Sequence, residues 1–203
     1  MVPNTATAGV SDAALADLLQ QHWDATMRRW PTWATQLGDH RFDDKLEESG
    51  PEAWQAMREG LGYWIGKVEA IDPHSLNQQD RLTRDVLMSI FSGEQDKSIC
   101  LNEQWSLSPR SNTFSSMLRL PEDHSVQSTD DGSNLIERYK AIPMVIENDI
   151  ANMRLGMEAG RVPTRESTRR TIELITSALE QPETEWALLA PTKEEHPTWN
   201  RSE

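Results

Sequence analysis

The residues whose types and spacing could do chemistry lie in one run, Leu37-Gly38-Asp39-His40-Arg41-Phe42-Asp43-Asp44. A histidine stands between an acid and an arginine, just behind a stretch with helical spacing. Asp39 is placed to orient the imidazole, and Arg41 to hold a carboxylate by two parallel hydrogen bonds. On the residues alone the plainer reading, a polar junction that satisfies helix ends, is favoured. The other histidines are His22, His74, His124 and His196. No two of the five stand at i, i+3 or i+4, so no helix turn offers a pair of them to one metal, and a zinc site would have to be assembled from distant loops. Asp43-Asp44 and Glu47-Glu48 lack the ligand spacing and central glycine of a calcium loop and read as a solvated stretch. Asp130-Asp131-Gly132 reads as capping and turn chemistry. The sequence contains no H-E-x-x-H, no G-x-S-x-G, no phosphate-binding glycine loop and no dinucleotide fingerprint. Cys100 is the single cysteine, which rules out an intramolecular disulfide and a multi-cysteine zinc site. It reads as a small apolar residue near a helix end.

Whole-chain numbers narrow the classes further. The 203 residues carry 20 Lys and Arg against 33 Asp and Glu, a formal charge of −13. Such a balance argues against a general nucleic-acid binder, whose affinity comes from clustered cations, and against docking on anionic lipid. No basic start leads into an apolar run, and no stretch approaches the ~18 apolar residues of a membrane span. A soluble, cytoplasmic protein is expected. Hydrophobic residues make up 36%, and 8 of them are Trp. Ligand stacking by the tryptophans is weaker than core packing as a reading, since Trp54 and Trp64 fall on an apolar seam and Trp30 and Trp33 bracket a helix junction.

The elements that would position these groups are helices. Ser11 is read as the cap of a first helix carrying Leu15, Leu18, Leu19, His22, Thr26 and Trp30. Pro31 can open a short second one, stopped at Gly38. Trp54, Met57, Leu61, Trp64, Val68 and Ile71 step by 3, 4, 3, 4, 3, the seam of a helix packed on another helix. Asn77 with Asp80 resembles a capping box ahead of Leu82, Val86, Leu87, Ile90 and Phe91. Residues 101–127 read as a long loop with a short helix near Phe114–Leu118. Ser128 and Asp131 form a second box before a long apolar series that Pro143 should kink. Ile172, Ile175 and Leu179 mark a last helix. No segment alternates like a strand. The expectation is an all-α chain of about six or seven helices in antiparallel hairpins. Residues 1–10 are expected as a disordered tail, 11–182 as a helical domain and 183–203 as a loose tail.

At the Asp39 run the chain also becomes recognisable. Trp23, Arg29-Trp30-Pro31-Thr32-Trp33-Ala34-Thr35 and Leu37 through Asp44 resemble the N-terminal signature of a large bacterial family, the domain of unknown function numbered 885. Ile71-Asp72 with Leu76 and Gln79-Asp80-Arg81-Leu82 agree with its second block. Leu135 to Pro143, with Arg138 and Ala141, agree with its third. Ile150-Ala151-Asn152-Met153-Arg154 through Gly160-Arg161-Val162-Pro163 agree with its fourth. The resemblance runs roughly from Leu15 to Pro182. That family is similar in fold to the gluzincin-type zinc metallopeptidases, mostly helical enzymes with a deep cleft, whose H-E-x-x-H segment lies downstream of these blocks. The resemblance therefore implies the front portion of a larger, truncated helical fold, supplying scaffold and substrate cleft and not chemistry. Zinc is implied for full-length members, while no catalytic or metal residue carries over to this chain. Asp39, His40 and Arg41, with Asn102 in a later loop, are implied as substrate-binding positions on the cleft wall. The implied partners are the missing C-terminal part of the family domain, or self-association, and a peptide substrate. A reading from another class is a free-standing helical module that binds a protein or peptide, and whether the chain is an enzyme by itself stays open.

Overall fold

The computed structural model describes residues 6–193. Eight α-helices follow one another in the described residues: α1 (Ala13–Arg29), α2 (Pro31–Gln36), α3 (Pro51–Glu69), α4 (Gln78–Ser98), α5 (Thr113–Leu118), α6 (Leu120–Asp123), α7 (Thr129–Glu158) and α8 (Arg165–Leu179). Short 3-10 turns lie between and after them. No β-strand forms among these residues, and the one pairing outside helices is an isolated bridge between Ser108 and Ser111. The chain is all-α. No described helix is long and apolar enough to cross a membrane. The chain divides into two compact units.

The first unit takes in residues 6–29 and 51–102 and contains α1, α3 and α4. Its core is Leu15, Leu18, Val68, Ile71, Leu76, Leu87 and Phe91, flanked by Val10, Leu19, Trp64, Ile65 and Met88. The predicted seam enters this core at Val68 and, just past the end of α3, at Ile71; Leu61 is buried as well, whereas Trp54 and Trp64 are only half-buried. Trp64 spends part of its ring on His22, edge-on at 5.2 Å, and the Arg29 guanidinium lies 5.2 Å above Trp54. On α4 the buried residues are Asp80, Leu87 and Phe91, while Leu82, Val86 and Ile90, the other apolar positions read from the sequence, are exposed. α4 continues through Ser92-Gly93 to Ser98.

Asp80 explains how the two helix starts are joined. Asn77 caps α4 by accepting from the Asp80 amide at 2.8 Å. The Asp80 carboxylate does not return to the Asn77 backbone, as a capping box would require. It accepts instead from the Ser11 and Asp12 amides at 3.2 and 2.9 Å, and from Asn77 Nδ2 at 2.9 Å. One carboxylate thus satisfies orphan donors at the α1 N-terminus. The first helix begins one step later than Ser11 suggests, because Asp12 accepts from the Leu15 amide.

The second unit takes in residues 30–50 and 103–193. Its buried cluster is Leu46, Met117, Leu120 and Val145, with Tyr139, Ala141 and Ile142 packed against it. α7 is its spine. Ser128 and Asp131 close the predicted capping box in both directions, and the helix runs 30 residues, straight through Pro143 in sequence. Its buried positions are Leu135, Arg138, Val145, Asn152 and Gly156. At Gly156 an added Cβ would lie 2.0 Å from the Gln104 carbonyl oxygen, so only glycine lets that backbone come so close.

Residues 101–127 are more ordered than a loop. Asn112 caps α5 by accepting from the Ser115 amide, and α6 follows with Pro121 in its first turn, where the missing amide costs nothing. On α8 it is Thr171 that is buried, while Ile172 and Leu179 face solvent. The segment from Glu183 forms 3-10 turns at Glu183–Glu185 and Ala187–Lys193, and Tyr139 Oη donates to the Leu188 carbonyl at 2.7 Å. The start of the expected N-terminal tail and residues 194–203 of the expected C-terminal tail, His196 among them, lie outside the described residues.

Candidate functional site

The site of the second unit is built on Arg138. It sits in phase with the apolar stripe of α7 and is wholly buried. A buried guanidinium is tolerated only when its donors are met. Nε donates to the Lys45 carbonyl at 2.8 Å, and Nη1 to His124 Nδ1 at 2.8 Å. Nη2 reaches Thr35 Oγ1 at 2.7 Å and the Pro31 and Phe42 carbonyls at 3.1 and 3.3 Å. Asp43 Oδ1 stands 4.0 Å from Nη2. Burial works against the charge of Arg138, and the carboxylates of Asp43, Glu47 and Asp44 work for it. One side chain therefore ties the end of α2, the segment 42–45 and His124 to the α7 spine.

Hydrogen bonding fixes the protonation of His124. Its Nδ1 must accept, because the arginine can only donate, so Nε2 carries the hydrogen and donates to the Asp131 carbonyl at 2.9 Å. The ring is 1% exposed. Burial, assisted by the charge of Arg138, lowers its pKa from 6.5.

Asp43 links this buried hub to the surface. Thr35 Oγ1 donates to its Oδ1 at 2.6 Å, and His40 Nδ1 lies 2.7 Å from its Oδ2. The carboxylate side chain is 6% exposed and that of His40 is 71% exposed. Since a carboxylate accepts, His40 turns its Nδ1–H inward and leaves Nε2 outward. This is the arrangement by which a buried acid fixes the tautomer of a general base. His40 and Asp43 line a cavity of about 570 Å³ together with Thr35, Gln36, Glu122, Asp123 and Asp131. The cavity wall is thus acidic, with one imidazole.

Asp39 caps the 3-10 turn His40–Phe42 by accepting from the Arg41 amide. Its carboxylate also takes two parallel bonds from Arg41, Nε to Oδ1 at 2.8 Å and Nη2 to Oδ2 at 2.6 Å. That hydrogen-bonded guanidinium holds the Asp39 carboxyl below its usual value. So the acid that orients His40 is Asp43, three residues on, because Asp39 is engaged by Arg41. Arg41 grips a carboxylate in the expected fork, but it is its neighbour's. Asn102 is the last residue of the first unit, exposed at the start of the turn Asn102–Gln104, and it lines neither this cavity nor a second one beneath α5.

Sequence reasoning passed over Thr35, His124 and Arg138 as site residues. One signal was present. Leu135, Arg138, Ile142 and Val145 step by 3, 4, 3, so a charge stands inside a core seam and must have buried partners. His124 and Thr35 come from distant segments, which no local pattern connects.

Among the described residues, no three His, Cys, Asp or Glu side chains converge closely enough to hold a metal ion, the set His40, Asp43 and Asp44 included. The zinc that the resemblance implies for full-length proteins does not fit the residues described here.

Comparison with curated proteins finds no match. Comparison with protein families does. The pattern of a family described as "Bacterial protein of unknown function (DUF885)" matches residues 31–202. The match begins at Pro31, so Trp23 and Arg29-Trp30 lie before it, and it carries on past Pro182. It spans the Asp39 run, Asp43, His124 and Arg138. On a match over most of its length, the chain belongs to the DUF885 family of bacterial proteins.

Proposed function

We propose that the chain is the helical scaffold and one substrate-binding wall of a metallopeptidase-like protein, with the zinc-binding segment outside these 203 residues. The observation that supports this reading is the contrast within one site. A concave, acid-lined cavity carries an imidazole oriented by a buried acid and anchored through Arg138, yet no set of metal ligands converges in it. In this reading Asp39 and Arg41 hold the turn that presents His40, and His40 with Asp43 contacts a peptide substrate.

The test combines the purified chain with an H-E-x-x-H segment taken from a longer member of the family. Chelator-sensitive release of amino acids from a dipeptide is expected only when the segment is present, and Asp43→Asn should weaken it. Stoichiometric zinc binding at sub-micromolar concentration by the chain alone, or hydrolysis by the chain alone, would overturn the proposal.

A second reading, a free-standing helical interaction module, is favoured by the stripe Leu82, Val86 and Ile90, which α4 turns to solvent. Failure of the segment to confer activity, together with self-association through that stripe, would support it.

A further inference from the structure

The second unit holds another cavity, of about 410 Å³, beneath α5. Its volume lies within the range of small-molecule sites. Its chemistry is not that of the His40 cavity. Trp30, Leu107 and Val145 give it an apolar side, and Glu47, Asp123 and Asp149 put three carboxylates on the wall against one cation, Arg119.

Three of these groups have hydrogen-bonding capacity left over. Ser49 Oγ is buried and has no partner. Asp149 is half-buried on α7 and receives one bond, from Thr113 Oγ1 to Oδ2 at 2.9 Å. Glu47 is held through a single oxygen, Oε1, by the amide and the hydroxyl of Thr32. A half-buried carboxylate with one donor is incompletely solvated, and burial raises the Asp149 pKa accordingly. Three carboxylates against the single guanidinium of Arg119 leave the wall short of positive charge and of donors. An ammonium group supplies three hydrogens and one charge, and Ser49, Glu47 and Asp149 all belong to the lining of this cavity. The indole and aliphatic side chains would take the apolar part of the same molecule.

We propose that this cavity binds a small primary amine with an apolar side chain, its ammonium held by Asp149 and Glu47 with Ser49 accepting beside them. The inference concerns a site in this chain and does not depend on the peptidase-like reading.

The probe is L-leucinamide, with N-acetyl-L-leucinamide as the uncharged comparison and glucose as a neutral polyol, each titrated into the full chain and followed by amide and indole NMR shifts. Leucinamide is expected to shift the Trp30 indole and the amides of 106–113, and the acetylated compound is expected to leave them unmoved. Asp149→Asn and Glu47→Gln should each weaken leucinamide binding by about tenfold or more, the scale of one lost charge-assisted hydrogen bond. The exposed Glu59→Gln variant, in the other unit, should bind as the parent does. Equal binding of the acetylated compound, a glucose response in place of a leucinamide response, or no saturable shift in the parent chain at millimolar leucinamide would each overturn the proposal. Because the parent chain provides the primary readout, a variant that failed to fold would not rescue it.

Discussion

Arg138 concentrates more of the second unit's architecture than any other side chain described. Its donors meet three backbone carbonyls, a hydroxyl and an imidazole. Removing it takes their donor from the Lys45 carbonyl and from His124 Nδ1, beside a buried Asp43. Arg138→Met fills much of the volume but supplies none of the hydrogens, so a loss of about 3–5 kcal/mol is expected, the range for breaking a buried charged network. Urea unfolding would measure it, and a loss below about 1 kcal/mol would show that the hub is dispensable. The same contacts predict a pH dependence. The unfolded chain binds a proton at His124 near pH 6.5, whereas burial holds the folded His124 neutral to lower pH. Below 6.5 the unfolded state therefore binds more protons, and stability falls as the pH drops from that point towards the folded pKa. His22, lowered by burial in the first unit, acts in the same direction. Asp39, held down by Arg41, adds a further loss only below its usual 3.8. Unfolding midpoints at pH 7.5 and 5.5 should differ, the lower pH being less stable, and His124→Gln should shrink the difference. A flat profile in this window would remove the neutral-histidine assignment. The run Asp39–Asp44 was legible as a polar device from its residue types. Its pairing was not, because Asp39 and Asp43 are both within reach of His40 in sequence and only the fold assigns one of them to Arg41.

At the scale of the element, periodicity reveals that a helix exists more reliably than which of its faces is buried. α4 carries two stripes at helical spacing, and both are apolar in part. The stripe that packs is the one holding Asp80, since that carboxylate is needed at the start of α1. A local pattern cannot express that need. Asp80→Ala should remove the acceptor for the Ser11 and Asp12 amides and cost about 1–3 kcal/mol, as a cap and a buried bond are lost together. Amide exchange would show it first at the beginning of α1. α7 is the opposite case. Its seam was legible from Leu135 to Val145, and the same 3-4 stepping carried onward reaches Asn152 and Gly156, which are buried as well. Gly156 gives the sharper test. Its neighbour is backbone, the Gln104 carbonyl, so Gly156→Ala cannot be relieved by a rotamer change. Even though alanine favours helix, a net loss of about 1–3 kcal/mol is expected from overpacking. A stabilised variant in thermal unfolding would mean that the contact opens freely.

Among the described residues two buried clusters form, one in each unit, neither of them large. This agrees with a modest apolar content, and it leaves several large side chains outside. On α4 the exposed ones are aligned, Leu82 at 58%, Val86 at 48% and Ile90 at 51% exposure, each one helical turn from the next. Scattered exposed apolar residues need no explanation, but a contiguous strip on one helix favours association. Self-association of the purified chain is therefore expected, dependent on concentration, with binding of a hydrophobic dye. The double variant Leu82→Glu, Ile90→Glu should abolish both. Its urea midpoint should change little, because neither residue packs in a core and glutamate suits a helix surface. That pairing of results separates a docking strip from a structural one. If the variant unfolded, the strip would belong to the core after all. A monodisperse parent chain that bound no dye would show that α4 presents these residues to water without consequence.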